Sequence, residues 1–438
     1  MPSSKLFYHI LGNTILAGFA NMFLWFALVF WAYLETRSVM ITSLIGGIYM
    51  LLTLAGGIYF GSLVDHHPKK PVMGFSTLVS FAMYIGAFLL YISQSTDIWQ
   101  DAGNPLLWLF ILLVMIGGVI GNIRMITLST LVTLLFEEKN RDKANWLVGM
   151  SNGLMFTVVS ALSGFAVGQL GMWWALAFTL FASLLSLLHL FFLTFPQEPH
   201  ELIEKKPEKK IDLKGTIAII SGISGLWAMI VFAMWNNFIG GVFMSLMDAY
   251  GLMLVPVETW GIVLAITSTG FIFGGMYVAK YGLGKNPVRT LLLMNIIMWT
   301  NCIFFTSVFS IVLTGIWFFL FMFFHPIAEA CEQTILQKVV PFERQGRVFG
   351  FAQSIEQTAS PLTAFFIGPI AELFIIPFMS STSWILLFGS WYGNTEDRAL
   401  ALIFSLAGII GLIATLLALY SRAYRNLSES YMKEGENT

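Results

Sequence analysis

The sequence predicts an all-α membrane protein: twelve transmembrane helices in two six-helix, pseudo-symmetric halves with both termini in the cytoplasm. Three observations carry that expectation. The 438 residues are 57% hydrophobic and 11% charged, with a mean hydropathy of +0.79, whereas a soluble domain carries roughly 25% charged residues. Twelve apolar segments each exceed the length of ~20 residues that a helix needs to cross a bilayer core. Of the 23 Lys and Arg residues, 20 fall in the termini and in the loops on their side, Arg37 and Arg398 fall opposite, and Arg124 lies inside a span. Positively charged loops stay in the cytoplasm, and a count wrong by one span would scatter these charges over both sides.

The spans follow in order. Span one, 8–34, is too long for a signal-peptide core, and no small-residue cleavage site follows it before Glu35, so it reads as a retained helix. It carries Asn21 and Trp25 one turn apart. Span two, 38–64, ends at Gly61-Ser-Leu-Val-Asp65-His-His-Pro-Lys69-Lys70, and span three, 71–93, begins just beyond. Span four, 105–135, holds Gly117, Gly118 and Gly121 and then Arg124. Span five, 145–169, has Gly149, Gly153, Gly164 and Gly168 but no proline, and span six is 172–194. Span seven, 216–246, carries Trp235, Asn236 and Asn237, which leaves Asp248 outside it on the extracytoplasmic side. Spans eight, nine and ten are 258–280, 288–310 and 311–340; spans eleven and twelve are 345–378 and 398–420.

Segment 195–215 is the one long polar run inside the chain, with Pro196, Pro199, Pro207 and a block of lysines. It reads as a cytoplasmic linker between an N-terminal half, 1–194, and a C-terminal half, 216–438, the latter ending in a short cytoplasmic tail. Weak internal similarity joins the halves. The stretch after span two resembles Gly275-Met-Tyr-Val-Ala279-Lys280-Tyr-Gly-Leu-Gly-Lys285 after span eight. Likewise Glu138-Lys-Asn-Arg-Asp-Lys143-Ala resembles Phe342-Glu-Arg-Gln-Gly-Arg347-Val, in equivalent loops. Such duplication is a habit of transporters.

Gly61, Leu63, Asp65, Lys69 and Lys70 match the G-x-L-x-D-[RK]-x-G-[RK]-[RK] loop of the major facilitator superfamily, with His66 and Pro68 as departures. Gln337-Lys-Val-Val-Pro341-Phe-Glu-Arg-Gln-Gly346-Arg347-Val-Phe-Gly, continuing to Ser360-Pro361 and Gly368-Pro369-Ile-Ala-Glu372, is similar to the macrolide-efflux-like branch of the drug:proton antiporters, which includes siderophore exporters. The glycine-proline signature of span five in other drug antiporter branches is absent. The resemblance implies the major facilitator fold, placement in the bacterial inner membrane and efflux driven by a proton gradient. It also implies that Gly61, Asp65, Lys69 and Lys70 form a gate. Asp65 is then expected to face the N-terminus of span eleven, where a negative charge is stabilised by ~0.3–1 kcal/mol. Gly61 is expected to let two backbones approach, and the lysines to hold acidic groups and lipid phosphates.

Charges inside an apolar span cost at least ~2.5–3.5 kcal/mol on insertion scales, so each requires a reason. Glu329 and Glu332 in span ten are three residues apart and share a helix face, with Pro326 and His325 just before them. Glu356 in span eleven is flanked by Gln353 and Gln357. Neighbouring carboxyls in a low dielectric bind protons more readily, which makes Glu329, Glu332 and Glu356 the candidate proton-coupling groups. Arg124 is the candidate charge partner or substrate contact, and the carboxylates available to it are on spans ten and eleven. A substrate cavity is expected among spans one, four, seven and ten, with Asn21, Trp25, Trp235, Asn236 and Gln353 as candidate lining. Aromatic and amide groups suit a bulky amphipathic solute.

Other classes fit less well. Cys302 and Cys331 both lie in apolar spans and form neither a disulfide framework nor a metal spacing. There is no phosphate-binding loop for ATP, no H-E-x-x-H, and His66-His67 is the single histidine pair. No basic stretch interleaved with aromatics suggests nucleic acid. The expected function is therefore that of a secondary active transporter, not an enzyme, that exports hydrophobic or amphipathic small molecules in exchange for protons. Export of a native metabolite or siderophore, or proton-coupled uptake, is the alternative, and a lipid-modifying membrane enzyme is the most distant one. No cofactor is expected beyond the proton gradient. The partners are a small-molecule substrate, protons and the bilayer, and the protein is expected to act as a monomer.

Overall fold

A few capping residues decide where the helices begin and end. The computed structural model describes residues 3–136, 138–195, 213–304, 310–341, 344–390 and 392–436, and twelve of the helices found there are long and apolar enough to cross a membrane. Span one is Ser3–Thr36. Arg37 turns the chain with φ 54°, uncommon for a residue with a Cβ, and Ser38 then caps span two, Val39–His66, by accepting from the Ile41 N–H at 3.2 Å. Span three is Lys69–Ser93. Asn104 caps span four, with Pro105 in its first turn. Span five, Glu138–Phe165, gains a π-helical turn, Ala166–Leu170, and Gly171 at φ 80° separates it from span six, Met172–Phe192.

Span four is not the single helix expected over 105–135. It is two helices, Pro105–Gly121 and Ile123–Leu135, joined at Asn122. The joint has a cause in span three. Ser80 donates to the Gly117 carbonyl at 2.6 Å and Ser76 to the Ile120 carbonyl at 2.8 Å. Gly121, lacking a side chain, admits the Asn21 amide against the same turn. Hydroxyl and amide groups pressed into a helical ladder bend it.

Span seven also differs. It is Leu226–Leu254 rather than 216–246, and a separate helix, Leu213–Gly222, precedes it. Gly225 at φ 85° makes the break, and a Cβ there would strike the Ala423 carbonyl. Asp248, expected beyond the span, lies inside this helix. Span eight is Val257–Tyr281, span nine Pro287–Phe304 and span ten Ile311–Val339. Span eleven, Gln345–Ile370, runs on through a π-helical turn, Ala371–Ile375, to Met379, and span twelve is Glu396–Tyr420. Most of the predicted linker, 196–212, lies outside the described residues, as does 305–309 at the predicted end of span nine.

The short tail is a helix, Arg422–Glu436. Leu427 and Tyr431 enter a core cluster with Ile220, Leu226, Cys331, Ile335 and Val339. The Lys338 ammonium lies 4.1 Å from the Tyr431 ring centroid. Burial pushes the Tyr431 phenol up, so the lysine meets a neutral ring.

The chain forms two compact units. The first comprises 1–41, 48–209 and 255–265; the second comprises 42–47, 210–254 and 266–438. In the first, span one packs on spans five and six, and span three on spans four and six. In the second, span seven packs on eleven and twelve, and span nine on ten and twelve. Adding six to every span number in the first scheme gives the second, the internal repeat written in packing.

Apolar association gains little in lipid, so helices there adhere through close backbone contact at small residues. In the first unit a Cβ on Gly164 would stand 2.6 Å from the Val257 carbonyl, and one on Gly261 would stand 2.5 Å from the Ser160 carbonyl. In the second unit Gly47 lies against the backbone of Phe365, and Ser43 donates to the Ala364 carbonyl and accepts from the Gly368 N–H at 3.1 Å. Substituting Gly261→Val or Gly164→Val should therefore cost about 1–3 kcal/mol by overpacking. Gly153→Ala, where a Cβ meets no described atom within 4 Å, should be nearly neutral. Thermal midpoints of the purified variants in detergent check this ordering.

Candidate functional site

The second unit gathers the acidic candidates. Glu329 and Glu332 project from one face of span ten, and Glu356 from span eleven. The carboxyl groups of Glu332 and Glu356 come within hydrogen-bonding reach of each other, with the Glu329 carboxyl close to Glu332. Both paired groups are partly buried, and Glu356 Oε1 is enclosed with no partner among the described residues. Glu329 is exposed on its unit. One turn before it, the His325 ring lies between those of Phe271 and Phe321, at 5.9 and 6.0 Å. An ionised carboxylate only accepts hydrogen bonds, so these two carboxyls can bond to each other when one of them carries a proton. Among the described residues no three His, Cys, Asp or Glu side chains are placed to hold a metal ion. Gln353, one turn before Glu356, is exposed on the same helix.

The first unit holds the base. Arg124 begins the second segment of span four and is 2% exposed. Within its own unit it is held by neutral acceptors. Its guanidinium donates to the Asn13 and Thr77 side-chain oxygens and, at 3.4 Å, to the Met73 carbonyl. Asn13 is itself held, donating to the Ser186 carbonyl at 2.8 Å and meeting His189 Nδ1 at 3.1 Å. Arg124 Nε finds no acceptor among the described residues. Polar residues of spans one, three and six thus surround a guanidinium whose charge no described acid in hydrogen-bonding contact offsets.

The predicted cavity residues fall into separate networks. In the first unit Asn21 Oδ1 accepts from the Tyr84 hydroxyl at 2.8 Å, and Trp25 packs on Tyr49 with centroids 4.3 Å apart. Tyr49 in turn accepts from Asn122 at 3.3 Å, at the joint of span four. In the second unit Trp235, 37% exposed, stacks on Phe238, while Asn236 Oδ1 accepts from Trp299 Nε1 at 3.0 Å. Asn21 and Asn236 therefore already brace neighbouring helices through their amide oxygens. Tyr49, Tyr84, Asn13 and Thr77 escape a reading of the sequence. The cluster Gly117, Gly118 and Gly121 was the available signal, since a Cβ on Gly117 would collide with the Tyr84 ring.

The gate residues have local tasks. Lys69, 4% exposed, donates to the Val64 and His67 carbonyls at 2.8 and 3.2 Å and so caps the end of span two. Lys70 donates to the Phe191 and Leu193 carbonyls at 3.0 and 2.6 Å and caps the end of span six. Ammonium groups suit helix C-termini, where carbonyls lack partners and the dipole is negative. The lysines thus hold backbone carbonyls rather than only the acids and phosphates expected of them. A Cβ placed on Gly61 would meet no described atom within 4 Å. Asp65 stands in the last turn of span two, and its side chain lies outside the described residues.

The family model of the Major Facilitator Superfamily matches residues 10–364. No curated protein matches by sequence. Among solved structures, a bacterial homolog of the human lysosomal transporter Spinster aligns with TM-score 0.70 at 14% identity, covering 99% of this chain and 98% of that one. A D-xylose-proton symporter aligns with TM-score 0.64 at 14% identity over 92% and 97% of the two chains. A bacterial homologue of the iron transporter ferroportin aligns with TM-score 0.66 at 13% identity over 95% and 99%. At these identities the likeness is one of fold.

The Arg124 network makes a testable demand. Asn13→Leu strips an acceptor from a buried cation and should destabilise the protein by about 1–3 kcal/mol. Adding Arg124→Leu removes the stranded charge, so the double variant should be more stable than Asn13→Leu alone. Thermal denaturation of the four members of the cycle measures the sign. A double variant at least as unstable as the sum of the singles would mean that the guanidinium is not held through Asn13.

Proposed function

Because the chain belongs to the Major Facilitator Superfamily and is a transporter rather than an enzyme, we propose that it exports hydrophobic or amphipathic small molecules from the cytoplasm in exchange for protons. The observation that carries this reading is the close approach of the Glu332 and Glu356 carboxyls, which can share a proton. That pair stores a proton for as long as the two helices keep their side chains together. If spans ten and eleven part, two carboxyls without a shared bond face water and one proton leaves. If they close again, repulsion between two carboxylates in a low dielectric favours uptake of another. Glu329, exposed one turn away, is placed to pass the proton on, with His325 beside it. A conformational change that makes and breaks one hydrogen bond thereby becomes coupled to proton transfer, the requirement for alternating access driven by a gradient.

The exposed Trp235–Phe238 stack and the Trp25–Tyr49 pair supply flat apolar contacts, and Gln353 supplies a polar one. These support a bulky amphipathic solute. The direction of transport rests on the similarity of Gln337–Gly350 and its continuation to the macrolide-efflux-like exporters. We place the protein in the bacterial inner membrane with both termini cytoplasmic, supported by the one-sided distribution of Lys and Arg.

Proteoliposomes loaded with a fluorescent amphipathic cation, or with a macrolide, test the reading when a pH gradient is imposed. The wild type should move solute against its gradient and collapse the pH difference as it does so. Glu332→Gln and Glu356→Gln should each lower gradient-driven transport by at least tenfold while solute binding persists. Glu329→Gln should slow transport and move its pH optimum. Gradient-driven transport at wild-type rate in both Glu332→Gln and Glu356→Gln would sink the assignment. Solute accumulation in the direction of proton flow would replace export with uptake.

A further inference from the structure

Span eight carries an exposed apolar stripe that ends on a lysine. Ile266, Phe273 and Met276 recur at helical spacing and are 60%, 51% and 60% exposed, and the next position on that face is Lys280. Beside the stripe lies a groove of about 520 Å³, walled by Phe273, Met276, Tyr277, Lys280, Tyr281 and Phe323. Its two sides are fixed by backbone contact between spans eight and ten. A Cβ on Gly270 would stand 2.6 Å from the Phe319 carbonyl, and one on Gly274 would press against the Phe323 carbonyl and stand 2.6 Å from the Pro326 ring. Tyr277 meets Tyr281 at 5.0 Å and Phe323 at 5.9 Å, and the Lys280 ammonium lies 5.1 Å from the Tyr281 ring centroid.

The charge on the segment that follows Lys280 is one-sided. Gly282 and Gly284, at φ 71° and 79°, turn the chain just past Lys280 and present Lys285 and Arg289, both exposed. No Asp or Glu occurs in the sequence between Glu258 and Glu329. The groove therefore combines an apolar trough on an exposed face of span eight and three cations on a segment that carries no acid of its own, the nearest tail-helix acid in sequence to the Asn286–Ser428 contact being Glu429. A long apolar chain attached to a phosphate has the same two parts in the same order.

We propose that this groove binds an anionic phospholipid. An acyl chain lies along Phe273, Met276, Tyr277 and Phe323, and the phosphate meets Lys280 within the positive potential of Lys285 and Arg289. The lysine stem lies on apolar surface while its head stays at the headgroup level. A zwitterionic lipid offers the same chain, but its own cation is repelled by the three basic residues. Each basic residue near a membrane surface adds ~1 kcal/mol of attraction for anionic lipid, about a fivefold preference. This inference uses only the placement of the protein in a membrane and stands apart from the proton-coupling reading.

Native mass spectrometry of the detergent-solubilised full-length protein, titrated with phosphatidylglycerol or phosphatidylcholine, provides the test. The wild type should retain phosphatidylglycerol in preference to phosphatidylcholine, and Lys280→Gln should cut that retention about fivefold while Lys280→Arg preserves it. Met276→Trp, which narrows the trough without touching charge, should lower retention of both lipids. Glycerol 3-phosphate, a headgroup without chains, should not compete. Equal retention of the two lipids by the wild type, or unchanged phosphatidylglycerol retention in Lys280→Gln, overturns the proposal. Effective competition by glycerol 3-phosphate also overturns it, in favour of a headgroup-only anion site. Thermal midpoints of the variants, expected to match the wild type, separate lost binding from lost fold.

Discussion

A bilayer offers no water to a stranded polar group, so each such group in a spanning helix must find its partner within the protein. Much of this architecture follows from that constraint. Ser76 and Ser80 reach across to carbonyls of span four, Lys69 and Lys70 occupy the carbonyls left over where spans two and six end, and Asn13 and Thr77 receive a guanidinium. None of these contacts gains much free energy relative to a solvated reference. Their importance lies in the larger cost of leaving any partner out, which makes the arrangement specific. Each unit distributes its polar side chains over several helices so that the helices fit in one register.

The same constraint explains why acid and base behave differently here. A guanidinium is a far stronger base than a carboxylate, and the first unit surrounds that of Arg124 with neutral oxygens. A carboxyl has a second option, since it can bind a proton and become neutral. Glu332 and Glu356 lie close enough together to use that option as a pair. A fixed charge surrounded by fixed dipoles is a structural element. A pair that holds an extra proton only while assembled responds to motion, and the functional reading rests on this difference rather than on the presence of charge in a membrane span.

What could be read from the sequence follows the range of each interaction. Hydropathy and the sorting of lysines and arginines are sums over many residues, and they located twelve spans with ends mostly within a few positions. The joint at Asn122 and the break at Gly225 were invisible to such sums. One depends on two serine hydroxyls of another span, and the other on a carbonyl of a helix two hundred residues later. Glu329, Glu332 and Glu356 stood out because a carboxyl in an apolar run is costly. That Glu332 meets Glu356 rather than a base depends on the register of spans ten and eleven. Arg124 was readable as a residue that needs partners, but neutral acceptors such as Asn13 and Thr77 have no signature in an apolar chain, and the expectation of a carboxylate followed from charge alone. The close backbone contacts within each unit, at Gly164, Gly261 and Gly47 among others, carry no mark in the sequence that sets them apart from the chain's many other glycines.

The helix Arg422–Glu436 has a consequence for the order in which the protein is made. Leu427 and Tyr431 complete a core cluster whose other members include Cys331, Ile335 and Val339. The ribosome produces those three residues long before it reaches their cover. Synthesis at roughly 5–20 residues per second puts a delay of about 5–20 s between Cys331 and Tyr431. Through that interval the face of span ten has to be shielded by lipid, by the insertion machinery or by a chaperone. A translational pause late in the chain, or premature termination within span twelve, would prolong that exposure and give proteolytic quality control its longest opportunity at the second unit.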